Sequence, residues 1–360
     1  MIAKMTTKMN ILIIVPSYPK NSGVDLHRLF IPHNLMGTLF ENCEISLTNE
    51  IDSQDDNFIS SFDLIIANRF ISKIGRPEDL IKRLNELGVK YVIDLDDDWR
   101  LPSWHLLADV AKTHNHAAQI ADGVKSAYAV TTTHELMASQ IRAELGHKNV
   151  YVVPNGIHPY GQFECQETNF DKLQFGWSGS ITHFEDVLLI HDALLSLYKG
   201  EHSDKFRMVY GGYDGTDDTS KAIAGVLSCR GSAVEGQFLL YGAQPSDRYA
   251  EFFNHIDVSL IPLRDNRFNN MKSNLKLLES GFKKKAVICS DVYPYSPLLE
   301  HGKNCLVVKH KNDWYKHMTK LILNPNLVED LREQLHEDLQ PFHMDNIAEL
   351  RYKIYSKLIC

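Results

Sequence analysis

The chain has 360 residues, more than one hydrophobic core usually supports, so the sequence predicts two domains. A net charge of −8 excludes a wholly basic nucleic-acid binder, and any phosphate-rich partner must meet a local basic patch. The six cysteines are scattered without a CxxC pair, and the N-terminal apolar run is too short for a signal sequence or a membrane span. These features predict a cytoplasmic protein with reduced thiols and no membrane span.

The first half of the chain alternates apolar strands with amphipathic helices, the pattern of a doubly wound α/β domain. A strand, NILIIVP from Asn10, leads into a loop with Gly23 and a helix that carries Arg28 on its first turns. Ligands gather outside such strand ends, and Gly23 would let the backbone approach a ligand closely. A plain turn followed by a surface arginine is the alternative. Further along, Thr133 is predicted to cap a helix.

Three consecutive aspartates, Asp96, Asp97 and Asp98, follow a strand predicted over residues 91–95. Adjacent carboxylates at a strand end repel one another, which costs stability unless cations, protons or hydroxyl donors are close. The cluster therefore indicates a functional site. A solvated acidic loop that caps the next helix is the alternative.

The second half restarts the pattern of strand, loop and helix. In LQFGWSGSITHFEDV, which begins at Leu173, Gly179 and Ser180 follow a strand and His183 lies near a helix start. The backbone N–H groups of Gly179 and Ser180 are suited to a phosphate oxygen. A tight turn with a capping hydroxyl is the structural alternative, and His183 could serve structure alone.

The most informative stretch is RDNRFNNMKSNLKLLESGFKKKAVICSD, residues 264–291. It predicts a strand exit, a helix and a buried strand, and hence a βαβ unit. Lys272, Ser273 and Asn274 fall where the helix begins, so an ammonium, unpaired backbone N–H groups and the positive helix end converge there. Such a point is suited to a phosphate. Glu279 is predicted about two turns beyond Lys272 on the same face, where a carboxylate could grip ribose hydroxyls.

The segment KSNLKLLESGFKKKAVICSD resembles the donor-binding segment of glycogen-synthase-like glycosyltransferases, which have the GT-B fold. The resemblance covers nearly the whole chain and implies that Lys272 neutralises the donor diphosphate while Glu279 holds the ribose. Members of this family carry a sugar-contacting glutamate eight residues before the ribose glutamate. This chain has Met271 there, so the identity of the sugar stays open.

The same resemblance assigns further residues to donor binding: Gly23 and Arg28 in a first donor-facing loop, Gly179 and Ser180 beside the phosphates with His183 nearby, Gln244 in the segment that holds the base, and Arg264, Ser273 and Asn274 at the leaving diphosphate. It implies neither a metal nor another cofactor, because a lysine and a helix end stabilise the leaving group. A UDP-sugar is favoured over a GDP-sugar as co-substrate.

The implied fold has two Rossmann-like, doubly wound domains that face a central cleft. An acceptor-side domain spans residues 1–155, a donor domain spans 156–342, and a last helix, 343–360, crosses back to the first domain. Transfer would retain the anomeric configuration. The aspartates at 96–98 could form a DxD metal site or serve the acceptor. We favour the second interpretation, in which Asp97 or Asp98 orients the acceptor hydroxyl or accepts its proton.

The sequence leaves the acceptor open between a glycan and DNA. IDLDDDW, KSNLKLLESGF and GVDLHRLFIPHNL look similar to glycosyltransferases carried by bacteriophages, some of which glycosylate hydroxymethylated bases in DNA. Lys73, Arg76, Lys82 and Arg83 would then supply a basic patch. The rival from another class is a nucleotide-sugar-binding protein without catalysis, which the missing glutamate at Met271 favours. The sequence does not indicate an oligomeric state.

Overall fold

A computed structural model describes residues 8–18, 22–73 and 75–360 of the chain. Within these residues the strands form two six-stranded sheets in which neighbouring strands run parallel. The predicted doubly wound α/β class is therefore confirmed. The first residues of the N-terminal stretch, 1–7, and part of the loop before Gly23, 19–21, lie outside the described residues.

The strands are β1 (Met9–Ile14), β2 (Cys43–Thr48), β3 (Leu64–Asn68), β4 (Tyr91–Leu95), β5 (Ala129–Thr132), β6 (Val150–Val152), β7 (Leu173–Ser178), β8 (Phe206–Tyr213), β9 (Phe238–Gly242), β10 (Val258–Ile261), β11 (Ala286–Ser290) and β12 (Leu306–Val308). The α-helices are α1 (Ile31–Leu39), α2 (Asp56–Ser60), α3 (Pro77–Glu86), α4 (Ala108–Thr113), α5 (His116–Ser126), α6 (Glu135–Gln140), α7 (Phe184–Val187), α8 (His191–Lys199), α9 (Asp218–Leu227), α10 (Arg267–Asn270), α11 (Leu275–Phe282), α12 (Asp313–Leu323), α13 (Pro325–Asp338) and α14 (Met344–Ile359).

The chain divides into two compact units, each built around one sheet. Unit 1 comprises Met1–His158, Met271–Ser273 and Phe342–Cys360, and unit 2 comprises Pro159–Asn270 and Asn274–Pro341. The strand order is β2-β1-β3-β4-β5-β6 in unit 1 and β12-β11-β10-β7-β8-β9 in unit 2.

Helices cover both faces of the sheet in unit 1, so its central strands are largely apolar. Successive residues of a strand point to opposite faces of the sheet. Leu12 accordingly belongs to a first core on one face, and Ile13 belongs to a second core on the other face. The C-terminal helix α14 packs on the second core together with α1, where the rings of Phe40 and Tyr352 stack with centroids 3.8 Å apart. The last helix is therefore part of unit 1.

Unit 2 brings a 3-10 segment, Tyr249–His255, close against its sheet. Gly176 on β7 and Gly211 on β8 make this possible, because a Cβ at either position would clash with Ile256 or Phe252. The glycines thus fix the position of the segment, and with it Tyr249, relative to the strand ends.

The cysteines and the helices show two further features of the chain. All six cysteines are free thiols. None of the helices in the described part of the chain combines the length and the apolar composition that a membrane crossing requires.

Candidate functional site

Helix α11 begins at Leu275, with Asn274 as an N-cap whose side chain makes no capping hydrogen bond. The prediction that residues 272–274 stand at a helix start is therefore confirmed. The prediction that Lys272 and Glu279 lie two turns apart on one helical face is wrong, because Lys272 precedes the first helical residue by three positions. Lys272 and Ser273 are loop residues immediately before the helix.

Lys276, a residue that the sequence did not single out, is the lysine that shares a helical face with Glu279. Its ammonium donates to the carbonyl oxygen of Ser178 at the end of β7. A Cβ on Gly179 would lie 3.0 Å from Lys276 Nζ and 2.9 Å from the Trp177 ring, so this close approach requires glycine. The spacing of three residues before Glu279 is the signal in the sequence that identifies Lys276.

Glu279 is buried, with 7% of its surface exposed, and Tyr249 Oη donates to its Oε1. Burial raises the pKa of Glu279 to about 7, while the Tyr249 hydrogen bond and the charge of Lys276 act in the opposite direction. Burial, together with the nearby Glu279 charge, raises the pKa of Tyr249 well above its usual value. A carboxyl that titrates near neutral pH is typical of a functional site.

A second buried carboxylate, Asp186, joins the exits of the neighbouring strands β7 and β10. Its Oδ2 lies 2.8 Å from His183 Nδ1, and its Oδ1 accepts from Arg264 N at 2.9 Å and from Asn269 Nδ2 at 3.1 Å. The side chain of Arg264 also reaches Glu185, with 3.1 Å between Nη1 and Oε2. Asp186 therefore holds His183 and Arg264 in one hydrogen-bonded group.

Two other predicted donor residues bond within their own loops. Ser180 Oγ accepts from Thr182 N at 3.2 Å and caps a 3-10 turn. This is the tight turn with a capping hydroxyl described above as the structural alternative. Gln244 follows β9, and its Nε2 donates to Gly242 O at 3.3 Å.

In unit 1 each of the three consecutive aspartates has an arginine partner. Arg69 Nε lies 3.1 Å from Asp96 Oδ1, Arg69 Nη2 lies 3.1 Å from Asp97 Oδ2, and Arg100 Nε lies 3.0 Å from Asp98 Oδ1. These guanidinium groups relieve the repulsion among the carboxylates and occupy oxygens that a metal ion would need. Among the described residues no cluster of His, Cys, Asp and Glu side chains is arranged to hold a metal ion.

Arg69 is a second residue that the sequence did not reveal. Its φ of 54° is uncommon for a residue with a side chain, and its N–H donates to Asp94 O at 3.0 Å. The side chain of Asp97 is 26% exposed, against 10% for Asp96 and 3% for Asp98. Asp97 is therefore the most accessible of the three aspartates.

Arg28 lies in the core of unit 1 and is only 1% exposed. Its guanidinium donates to both carboxylate oxygens of Asp94, at 2.8 and 2.6 Å, to Val153 O at 2.7 Å and to Asn155 Oδ1 at 3.1 Å. The alternative of a surface arginine is wrong, and this placement favours a structural role over a donor contact. Gly23 is exposed, and a Cβ there would meet no atom within 4 Å, so the fold does not require glycine.

The loop that carries Lys272 is held by a histidine of unit 1. His134 Nδ1 accepts from Met137 N at 3.2 Å and caps α6, so the predicted cap at Thr133 is wrong. Because Nδ1 accepts, Nε2 carries the proton and donates to Lys272 O at 3.1 Å. Met271, the residue in place of the sugar-contacting glutamate, is buried and packs in the first core of unit 1.

The predicted basic patch is largely neutralised by carboxylates. Arg76 lies 2.9 Å from Asp79, Lys82 lies 3.7 Å from Glu86 and Arg83 lies 2.6 Å from Asp56. Lys73 Nζ donates to Pro16 O at 2.9 Å. These pairs reduce the positive potential that a DNA acceptor would need.

No protein-family model and no curated protein sequence matches the chain. Solved structures match it over nearly its whole length. A sucrose-phosphate synthase from Thermosynechococcus elongatus is 11% identical, covers 98% of this chain and 99% of its own, and has a TM-score of 0.70. A glycosyltransferase from Rickettsia africae is 10% identical, with coverage of 98% and 99% and a TM-score of 0.68.

Anabaena HepE, solved in complex with UDP and glucose, is 12% identical, with coverage of 97% and 99% and a TM-score of 0.66. At such low identity the likeness shows the fold alone. The predicted GT-B fold is confirmed.

Proposed function

We propose that this chain is a glycosyltransferase that moves a sugar, a hexose or a pentose, from a nucleoside diphosphate sugar to an acceptor hydroxyl. The observation that carries the proposal is the group of Lys276, Ser178 and Gly179 at the end of β7, with Glu279 three residues further along α11, in a chain with the GT-B fold. Ligands of parallel α/β sheets bind outside the carboxyl ends of the strands, where this group lies. The complex of HepE with UDP and glucose supports a UDP-sugar as the donor.

In this proposal residues of unit 2 bind the ribose and the base of the donor nucleotide. Glu279 accepts hydrogen bonds from the ribose hydroxyls, and Gln244 and its neighbours hold the base. The start of α11, with Lys272, Ser273 and Asn274 before it and Lys276 on its first turn, binds the diphosphate. Arg264 and His183, both fixed by Asp186, and the Gly179–Ser180 backbone stand nearby.

The chemical step needs positive charge where the diphosphate leaves. Lys272, Lys276 and the start of α11 supply that charge in our proposal, so transfer does not depend on a metal ion. The proposal that the anomeric configuration is retained rests on the family resemblance of the donor segment. Asp97, the most accessible of the three consecutive aspartates, is our candidate for orienting the acceptor hydroxyl or accepting its proton.

A glycan is the acceptor that we favour. Hydroxymethylated DNA and a kinship to phage-borne enzymes stay predictions, and the ion pairs of Arg76, Lys82 and Arg83 weaken the DNA hypothesis. The second candidate function is nucleotide-sugar binding without catalysis. It is favoured by Met271, which is apolar and buried where a sugar-contacting glutamate is expected.

A thermal-shift screen of UDP, GDP, ADP and their common sugar conjugates, with and without Mg²⁺, tests the donor site. A ligand present at 100 times its Kd contributes about 2.7 kcal/mol to the free energy of unfolding, which such a screen detects. We expect a shift with UDP that does not depend on Mg²⁺. If none of the diphosphates shifts the melting temperature, the proposal is contradicted. A shift that requires Mg²⁺ would favour the interpretation of Asp96–Asp98 as a metal site.

Lys272→Ala should weaken UDP binding by roughly 1.5–3 kcal/mol, because a charged hydrogen bond to the diphosphate is lost. Isothermal titration calorimetry measures the change. Lys221→Ala is the matched control, since Lys221 pairs with Asp218 on the surface of α9 in unit 2. Unchanged affinity in a folded Lys272→Ala variant would remove this residue from the site.

Incubation of the enzyme and a UDP-sugar with glycan acceptors or with hydroxymethylated duplex DNA separates the candidate functions. Transfer to a glycan supports the function that we favour, and transfer to DNA supports the alternative acceptor. Normal UDP-sugar binding with neither transfer nor donor hydrolysis would support the non-catalytic candidate.

A further inference from the structure

The contact between Tyr249 and Glu279 joins two elements that are distant in the sequence. Glu279 lies on α11, Tyr249 begins the 3-10 segment Tyr249–His255, and the tyrosine hydroxyl donates to Oε1 of the carboxyl group. The bond uses one of the two oxygens, which leaves Oε2 to accept from a ligand.

The surroundings hold Tyr249 firmly in this position. Ala250 N donates to Gln162 Oε1 at 3.0 Å, and the ring of Phe163 meets the Tyr249 ring edge to face with centroids 6.0 Å apart. The 3-10 segment itself rests on Gly176 and Gly211, where any larger side chain would clash. Tyr249 is therefore a fixed donor and not a mobile surface tyrosine.

Two groups act electrostatically on the buried carboxyl of Glu279. The Tyr249 hydroxyl approaches it from the 3-10 segment, and Lys276 lies on the same face of α11. Both oppose the effect of burial, which still raises the pKa to about 7, and both therefore favour the ionised form. An ionised carboxylate accepts shorter and stronger hydrogen bonds than a neutral acid.

We infer that Tyr249 is a positioning residue of the donor site: its hydroxyl holds Oε1 of Glu279 and directs Oε2 toward a ribose hydroxyl. The inference rests on the proposed function and deepens it. It assigns no contact between Tyr249 and the nucleotide itself, so its effect on binding must act through Glu279.

UDP affinity, measured by calorimetry from pH 6 to pH 9.5, tests the inference. Wild-type affinity should rise about tenfold between pH 6 and pH 8.5 as Glu279 ionises. In Tyr249→Phe the loss of one hydrogen bond to a charged group should move the midpoint up by about one pH unit. The variant should therefore bind UDP about fivefold more weakly at pH 7 and recover to within about twofold of wild type at pH 9.5.

Tyr198→Phe is the matched control, because Tyr198 Oη donates to Leu227 O in the core of the same unit. This variant also loses a tyrosine hydrogen bond, but its affinity should follow the wild-type profile. The ratio of variant to wild-type affinity at each pH cancels the ionisation of UDP itself.

A double variant shows whether Tyr249 acts through Glu279. Adding Tyr249→Phe to Glu279→Ala, which has no carboxyl oxygen for the tyrosine to hold, should leave UDP affinity unchanged at every pH, and a further loss would overturn the inference because it would indicate direct contact with the nucleotide. A constant ratio of Tyr249→Phe to wild-type affinity across the pH range would also overturn it, while the proposed function would stand. Failure of the wild-type protein to bind UDP, GDP or ADP at any pH would overturn both.

Discussion

Asp94 in unit 1 and Glu279 in unit 2 are both buried carboxyl groups, yet their surroundings give them opposite protonation behaviour. Asp94 accepts two hydrogen bonds from Arg28 and one from Thr131, and Arg351 lies 3.7 Å away. These positive charges and hydrogen bonds hold its pKa well below the usual value despite burial. Glu279 has no arginine partner within the described residues, and burial raises its pKa to about 7.

The difference is the one expected between a carboxylate that stabilises the fold and, in our proposal, one that binds a ligand. A buried charge is tolerated when opposite charges and hydrogen bonds replace the lost water, as they do around Asp94. Glu279 has a tyrosine and, on its own helix, a lysine, which compensate its charge only in part. We expect that ribose hydroxyls complete its hydrogen bonding in the donor complex.

The largest effect should follow from removing the charge of Asp94. Asp94→Asn leaves Arg28 buried without its counter-charge, so the free energy of unfolding at pH 7 should fall by about 3–5 kcal/mol. Urea denaturation measures this change. A loss below about 1 kcal/mol would mean that the Arg28–Asp94 ion pair stabilises the fold no more than a hydrogen bond between neutral groups. Asp94 would then not differ from Glu279 in the way described above.

The same change of carboxyl to amide at Glu279 should give a smaller effect with a distinct pH dependence. Its pKa is raised on folding from 4.5 to about 7, so its contribution to stability is present below pH 4.5 and is lost as the pH rises through 7. As the pH rises from 4.5 to above 7, the free energy of unfolding of wild type should fall by about 2–3 kcal/mol relative to that of Glu279→Gln. Urea unfolding at pH 4.5, 6 and 8 measures the difference.

The expected sign makes this prediction specific. Asp94 behaves in the opposite way, because its folded pKa is lowered and its stabilisation is lost only as the solution becomes acidic. A difference between wild type and Glu279→Gln that stays constant with pH would show that Glu279 is compensated after all.

The sequence was sufficient for the strands, the doubly wound pattern and the helix start near Asn274, because hydrophobic periodicity and local polar residues determine them. It could not reveal which polar residues are buried together. Arg28 meets Asp94 across 66 positions, and Tyr249 meets Glu279 across 30, so both pairs depend on tertiary packing. The error about Lys272 came from extending the helix three residues too far toward the N-terminus.

Lys276 and Arg69 illustrate two kinds of missed residue. Lys276 carries a local signal, since it lies three residues before Glu279 in the same helix. Arg69 carries none: its partners Asp96 and Asp97 follow a neighbouring strand, and only the parallel pairing of β3 with β4 brings them to it.

The smallest effect should come from an exposed copy of the same ion pair. Arg76 donates to both oxygens of Asp79 at 3.0 and 3.3 Å, as Arg28 does to Asp94, but the two side chains are 73% and 64% exposed. Water and salt screen such a pair, so Arg76→Ala should change the free energy of unfolding by less than about 1 kcal/mol. Urea denaturation at low and high salt measures the change, which should shrink further as salt is added. A loss comparable to that of Asp94→Asn would show that the arginine–aspartate geometry, and not burial, determines the strength of such a pair.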